Sequence, residues 1–323
     1  METIAVLVLG EVFDLGLAAV LDTFATADEL ARGGAAGEQD APIGEVTCVG
    51  VRRNVRTARN MHIPVVAARP GRRPDVVVVP ALGCKTTETL RAALARPDIL
   101  DAAALLRDWS AKGTLVTAAC TATFVLGTAG LLAGRSATTT WWLGPFFRER
   151  FPDVELDESR MVVESAGVVT AGAALAHLDL ALWLVRRRSP ALAALTARYL
   201  LVEPRPSQAA FAIPDHLAHT DPVVERFEGW ARRHLARRFS LGDAARSVGT
   251  SERTLARRLR AVLGKSPLAY VQDLRVERAV HLLRTSAANV DEIAGAVGYG
   301  DGVTLRALLR RRLGRGVRDL RSS

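Results

Sequence analysis

Two groups of residues in this 323-residue chain have types and spacings that could do chemistry. One centres on Cys120, which ends the run Thr114-Leu115-Val116-Thr117-Ala118-Ala119 and is followed at once by the helix-forming stretch 121–132. A cysteine on a sharp strand-to-helix turn sits beside free helix N-terminal amides, which lower a thiol's pKa and can hold an oxyanion. That is where a nucleophile or a redox-sensing thiol would stand. Asp14 follows the first strand and Cys84 a later one, so Asp14, Cys84, Cys120 and Thr121 are candidate pocket residues. An alternative use of Asp14 is as N-cap of the helix that follows it. Cys48, within Val46-Thr47-Cys48-Val49, reads as buried and inert. A cysteine hydrolase also needs a base that exchanges protons near neutral pH. His62 is isolated, His177 lies on an apolar helix as a packing residue, and His216 and His219 fall in a proline-interrupted stretch. Sensing, of a small molecule or of redox state, therefore suits Cys120 better than catalysis, with inherited packing as the remaining alternative. The second group is arginine: Arg253, Arg257, Arg258 and Arg260 share one short helical segment, and Arg306, Arg310, Arg311 and Arg312 share another. Arginine grips guanine with two hydrogen bonds and also pairs with phosphate.

The cysteine must be positioned by strands. Apolar, β-branched runs at 4–9, 76–79 and 114–117 read as strands buried on both faces, the pattern of a parallel sheet. Helical stretches lie between and after them, at 15–31, 86–107 with a break near Pro97, 121–132 and 142–151. A strand pair near 161–164 and 168–170 precedes the apolar helix 173–186. This alternation predicts a doubly wound α/β domain over 1–187, with flavodoxin-like layering and ligands bound outside the carboxyl ends of the strands. Prolines at 190, 204, 206, 214 and 222 mark 188–220 as a linker with one short helix at 191–201. Residues 221–323 hold no strand candidate and read as short capped amphipathic helices, an all-α domain.

The arginines must be positioned by helices. Residues 241–249 form a short helix stopped by Gly249, and Thr250-Ser251-Glu252 caps a second helix with Leu255, Leu259, Val262 and Leu263 on one face. Two helices joined by a tight glycine turn make a helix-turn-helix, whose second helix can enter a major groove. The grammar returns: 290–297 ends at Gly298, and Asp301 caps 303–313. Thr254/Thr304, Leu255/Leu305, Leu259/Leu309, Arg260/Arg310, Leu263/Leu313 and Gly264/Gly314 are each offset by 50 residues. Between the repeats Pro267 starts a helix through Leu283. At about 1.5 Å per residue it is long enough to hold two reading heads roughly one DNA turn apart.

Charge agrees with this division. Residues 221–323 carry 21 Lys/Arg against 11 Asp/Glu, whereas 1–220 carry 22 against 23. Clustered arginine at one end is the footprint of a polyanion partner. A membrane surface would give the same signal, but the chain has no run of about 20 apolar residues. With 49% apolar and 24% charged residues, disordered and fibrous classes are excluded. The N-terminus lacks a secretory pattern, and the three cysteines are too few and too scattered for zinc or a disulfide framework. A reduced, cytoplasmic protein without metal or cofactor is the expectation.

The C-terminal hundred residues resemble the AraC/XylS family of transcriptional regulators, through Ser240-Leu241, Ser251-Glu252-Arg253-Thr254-Leu255, Gly264-Lys265-Ser266-Pro267-Leu268-Ala269-Tyr270 and Ile293-Ala294-Gly295-Ala296-Val297-Gly298-Tyr299. By that resemblance Arg253, Ala256 and Arg257 face base edges, and Gly302, Val303 and Arg306 match them in the second head. Arg258, Arg260, Arg310, Arg311 and Arg312 are then phosphate contacts. The family usually has aromatic residues where this chain has Leu305 or Leu309, and Ser-Pro followed by Tyr where it has Gly316-Val317 and Leu320. The second head is thus expected to pack more loosely or read less strictly. The Cys120 elbow and Phe13-Asp14-Leu15-Gly16 resemble the PfpI-like, class I glutamine-amidotransferase-like superfamily. Ala129-Gly130-Leu131-Leu132-Ala133-Gly134-Arg135-Ser136-Ala137-Thr138-Thr139 adds to this, and the whole chain resembles the GlxA-type regulators. Relatives commonly place a histidine where this chain has Thr140, before Trp141, so the resemblance implies lost catalysis and adds Thr140 to the pocket.

The expected function is that of a DNA-binding transcription regulator. It would be a homodimer through its α/β domain, responding to a small-molecule effector or redox signal and acting on double-stranded promoter DNA, with RNA polymerase as a further partner. Two alternatives stand beside it: a cysteine-dependent amidase or hydratase with an accessory nucleic-acid-binding domain, and a non-specific architectural DNA protein.

Overall fold

A computed structural model describes residues 2–34, 42–203, 205, 207–208, 221–313 and 316–321. The chain divides into two compact units, Met1–Phe211 and Ala212–Ser323. Pro204, Pro206, Pro214, His216, His219 and Gly314 of the sequence reading lie outside the described residues.

The first unit is built on a seven-stranded sheet. In chain order the described strands are β1 (Thr3–Leu7), β2 (Glu45–Gly50), β3 (Asn54–Arg56), β4 (His62–Pro64), β5 (Val66–Ala67), β6 (Val76–Val79), β7 (Leu115–Ala119), β8 (Ser136–Ala137), β9 (Glu155–Leu156), β10 (Val162–Ser165) and β11 (Val168–Ala171). The sheet order is β10-β11-β7-β6-β1-β2-β5, and only β10 runs antiparallel. The helices are α1 (Asp14–Arg32), α2 (Thr87–Leu94), α3 (Pro97–Ala111), α4 (Ala122–Thr128), α5 (Gly144–Arg150), α6 (Ala176–Arg188) and α7 (Pro190–Tyr199). Two apolar layers sandwich the sheet. Leu7, Val77, Val79, Leu106, Trp109 and Phe124 fill one face, and Val6, Val78, Phe24, Leu180 and Val185 the other. Alternate residues of each parallel strand serve opposite layers, which is why the runs read as continuous hydrophobic text.

Several boundaries differ from the sequence reading for local reasons. The stretch 121–132 stops at Thr128, because Gly130 takes a left-handed backbone at φ +74. The stretch 142–151 splits into a 3-10 turn, Trp141–Leu143, and α5, whose first turn holds Pro145. Cys48 is half-buried on β2 and not fully inside, because β2 lies near the sheet edge with only the two-residue β5 beyond it. The short helix expected at 191–201 is α7, which adds Leu192 and Ala193 to the core beside α1 and α6.

The described regular structure of the second unit is all helix: Pro222–Arg233, Leu241–Ser247, Glu252–Leu263, Pro267–Thr285, Val290–Ala296, Gly302–Leu313 and Val317–Arg321. Its repeat is physical as well as textual. The Ser251 side chain accepts from the Thr254 N–H at 3.2 Å, and Asp301 accepts from the Thr304 N–H at 2.7 Å. Leu255 and Leu259, like Leu305 and Leu309, are fully buried. Both turns use a left-handed glycine, Gly249 at φ +70 and Gly298 at φ +82. No helix among the described residues is long and apolar enough to cross a membrane.

Candidate functional site

Loops from the carboxyl ends of β1, β6, β7 and β11 meet in the first unit. The Phe13 N–H donates to the Ala81 carbonyl at 2.7 Å, and the Thr121 hydroxyl donates to the Leu82 carbonyl at 2.9 Å. Cys120 stands between β7 and α4 with φ +56, a left-handed conformation that costs a non-glycine residue about 1–3 kcal/mol. Its backbone is pinned on both sides. The Cys120 N–H donates to Ala171 O at 2.9 Å, and the Thr139 hydroxyl donates to Cys120 O at 2.7 Å.

The elbow is present, but its electrostatics differ from the expectation. Cys120 is only 4% exposed, and burial pushes its thiol up to about 11. Backbone amides of Ala174 and Thr121 and the hydroxyls of Thr140 and Thr121 act in the opposite direction and lose. The sequence expectation of a lowered thiol pKa fails because desolvation outweighs what the short, seven-residue α4 can offer. Nor does His177 supply a base. His177 is fully buried, its Nε2 accepts from the Ala81 N–H at 3.0 Å, and its Nδ1 is bonded to the Ala174 carbonyl. That pairing makes Nδ1 the protonated nitrogen and leaves no lone pair for a thiol proton. Burial also lowers the His177 pKa to about 4. The packing around it is close, since a Cβ on Gly16 would sit 2.6 Å from Nε2. His177 is therefore a structural pin between α6 and the loop after β6.

The remaining pocket candidates are placed as follows. Asp14 is the first residue of α1 and not its cap: Phe13 holds the cap position without a side-chain bond, so the N-cap alternative is corrected. Asp14 Oδ2 accepts from the Arg59 N–H at 3.2 Å, and its Oδ1 is buried without a hydrogen-bond partner. Cys84 directs its Sγ at the Thr89 carbonyl, 3.6 Å away, which is toward α2. Burial, reinforced by the Glu11 carboxylate, raises its pKa. Thr140 is fully buried with its Oγ1 unpaired, although its hydroxyl lies close enough to Cys120 to favour the thiolate.

In the second unit the two recognition helices present different side chains. Arg253, Arg257 and Arg260 are exposed on Glu252–Leu263 and make no hydrogen bond or ion pair among the described residues, while Ala256 is half-buried. Arg306, Arg310 and Arg311 are likewise exposed and unpaired on Gly302–Leu313, and Val303 is 70% exposed. Arg258 and Arg312 differ. The Arg258 Nη1 holds the Asp221 carboxylate at 2.6 Å, and Asp221 caps Pro222–Arg233 through the Val223 and Val224 amides. Arg312 pairs with Asp273 at 3.1 Å and donates to Gln272 at 3.1 Å. Both tie helices together instead of standing free for phosphate. Gly302, matched to a reader in the sequence, is buried with its N–H donated to Asp291 at 2.7 Å, so it cannot reach a base.

Residues 4–187 match the model of the DJ-1/PfpI family, and residues 244–323 match a helix-turn-helix domain model. The chain belongs to the DJ-1/PfpI family. An AraC-like transcription regulator of Streptomyces lividans is 37% identical over 101 residues, 31% of this chain and 33% of its own. The regulator CdhR of Pseudomonas aeruginosa is 25% identical over 198 residues, 60% of this chain and 59% of its own. These matches span between a third and about three-fifths of the relatives' lengths. A solved AraC-family regulator from Pseudomonas putida has the fold of the first unit, with TM-score 0.51 at 19% identity, covering 62% of this chain and all of that one.

In this DJ-1/PfpI unit the sequence reading missed a polar cluster behind the elbow. Thr138, Thr139, Thr140 and Thr170 are all buried, and Gln208 joins them at 1% exposure. The Gln208 Nε2 donates to Thr138 Oγ1 at 3.1 Å and to Thr139 O at 2.9 Å, while its Oε1 accepts from the Ala173 N–H at 3.1 Å. The threonine run was visible in the text. Gln208 was not, because it lies beyond α7 in no helix or strand, with no periodicity to announce it.

Proposed function

We propose that the chain is a sequence-specific DNA-binding transcription regulator whose DJ-1/PfpI unit senses a small molecule and does not catalyse. The observation that carries this is the repeated helix-turn-helix, whose two recognition helices start on matching caps 50 residues apart and expose unpaired arginines. Free guanidiniums at Arg253, Arg257 and Arg306 suit guanine readout, and those at Arg260, Arg310 and Arg311 suit phosphate. The names of the AraC-like relative and of CdhR agree with it.

The non-enzymatic half rests on the buried, protonated Cys120 and on His177, both of whose nitrogens are occupied. The resemblance in which Thr140 stands where relatives commonly carry a histidine supports the same reading. In the full reading the protein works in the cytoplasm as a homodimer on paired promoter half-sites, with RNA polymerase as a downstream partner. The test is selection of duplexes from a random pool by the purified full-length protein. Enrichment of a motif with two parts about one helical turn apart is expected; recovery of unenriched DNA would refute sequence-specific reading.

A further inference from the structure

The first unit ends by inserting one of its own side chains beside the elbow. After α7 the chain returns: Arg205 pairs with Asp179 at 2.7 Å and donates to Leu175 O at 2.9 Å, Ser207 bridges to Arg160, and the Gln208 N–H donates to Ser159 O at 3.2 Å. The Gln208 carboxamide then enters the Thr138–Thr139 cluster with every polar hydrogen and its carbonyl oxygen engaged. Room is made by Gly172, where a Cβ would lie 2.5 Å from Oε1. Thr139 links this pocket to the elbow, since its carbonyl accepts from Gln208 while its hydroxyl donates to the Cys120 carbonyl. Next to it the buried Thr140 Oγ1 has no hydrogen-bond partner.

We propose that this pocket is an effector subsite for a primary carboxamide or urea group, and that Gln208 is its internal competitor. The donor set defines the ligand: one nitrogen bearing two hydrogens for Thr138 Oγ1 and Thr139 O, and an adjacent carbonyl oxygen for the Ala173 N–H. A carboxylate presents no hydrogen to the Thr139 carbonyl and is rejected, because an acceptor buried against an acceptor leaves both unsatisfied. An effector that evicts Gln208 also breaks the three hydrogen bonds that hold its carboxamide in the first unit. This inference rests on the sensor reading above, and its test needs no DNA.

Ligand-observed NMR titrations of acetamide, with N,N-dimethylacetamide as the control lacking both N–H groups, are made on full-length wild type and Gln208→Ala. An internal competitor raises the apparent Kd by the ratio of closed to open pocket, so Gln208→Ala should bind acetamide at least about tenfold tighter than wild type. It should not bind the dimethyl amide, and Thr138→Val in the same background should lose the gain. Gln208→Glu, which keeps the side chain's length but sets a carboxylate against the Thr139 carbonyl, is the second variant should the alanine protein not fold. It should show the same gain. Equal acetamide affinity in wild type and in a folded Gln208 variant, or equal binding of the dimethyl amide, would overturn the proposal. A carboxamide pocket in a protein that selects no DNA motif would instead sink the regulator reading and leave the pocket standing.

Discussion

Cys120 should be the slowest of the three cysteines to react, and the size of the effect can be worked out. Moving a thiol from an ordinary value near 9 to about 11 lowers its thiolate population near neutral pH about a hundredfold, and only the thiolate is nucleophilic. Access adds to this, since Cys120 is 4% exposed and lies under Thr139 and Thr140, whereas Cys48 is half-buried on a strand near the sheet edge. Native full-length protein treated with iodoacetamide at pH 7.5 and followed by peptide mass spectrometry should therefore label Cys48 first and Cys84 more slowly. Cys120 should be at least about a hundredfold slower than a free thiol. Unfolding in urea should bring the three rates together. Labelling of native Cys120 as fast as Cys48 would show a stabilised thiolate, and with it a nucleophilic elbow, and would refute the assignment of burial as the dominant influence.

Further perturbations follow from single contacts. His177 is held neutral with a pKa near 4 against about 6.5 unfolded, so its contribution is fully present above 6.5 and is lost as pH falls toward 4. Urea unfolding of the first unit should lose up to about 3 kcal/mol over that window, and His177→Gln should flatten the dependence. Gly298→Ala places a Cβ 2.4 Å from the Leu235 carbonyl at φ +82, and should cost about 2–4 kcal/mol by thermal unfolding of the second unit. Burial works to raise the Asp221 pKa, but the Arg258 pair and the Val223 and Val224 amides win and lower it, so its contribution is lost only as pH falls below the ordinary carboxylate range. Asp221→Ala should cost roughly 1–2 kcal/mol, mostly from the cap because the pair is partly solvated, and Asp221→Asn should cost clearly less. Thr140→Val removes a buried hydroxyl that has no hydrogen bond, and should leave stability unchanged or raise it by up to about 1 kcal/mol on a melting curve.

Much of this architecture was legible in the text for physical reasons. Val76–Val79, buried on both faces, carries no polar residue, and the 50-residue offset survives because the same positions, Leu255/Leu305 and Leu259/Leu309, must be buried in each helix-turn-helix. The Cys120 turn was legible as geometry but not as chemistry. Residue spacing gives the strand-to-helix elbow, whereas thiol pKa depends on how deeply the elbow is covered, and Thr139 and Thr140, which meet it there, come from elsewhere in the chain. Arg258 and Arg312 show the same limit. Along their helices they look like their unpaired neighbours, and only the positions of Asp221 and Asp273 on other helices divert them. The short strands β3, β4, β5, β8 and β9 were missed because two or three residues carry no period to detect.

The central claim is that the two recognition helices read sequence. Its most direct test is fluorescence anisotropy of the full-length protein on a selected duplex against a scrambled one across a salt series, repeated with Arg253→Ala, Arg257→Ala and Arg306→Ala. The wild type should prefer the selected duplex by about a thousandfold or more, with a steep salt slope. Each substitution should relax discrimination at its own base pairs by roughly 1–3 kcal/mol. Equal wild-type affinity for both duplexes, or substitutions that weaken both to the same extent, would contradict the account.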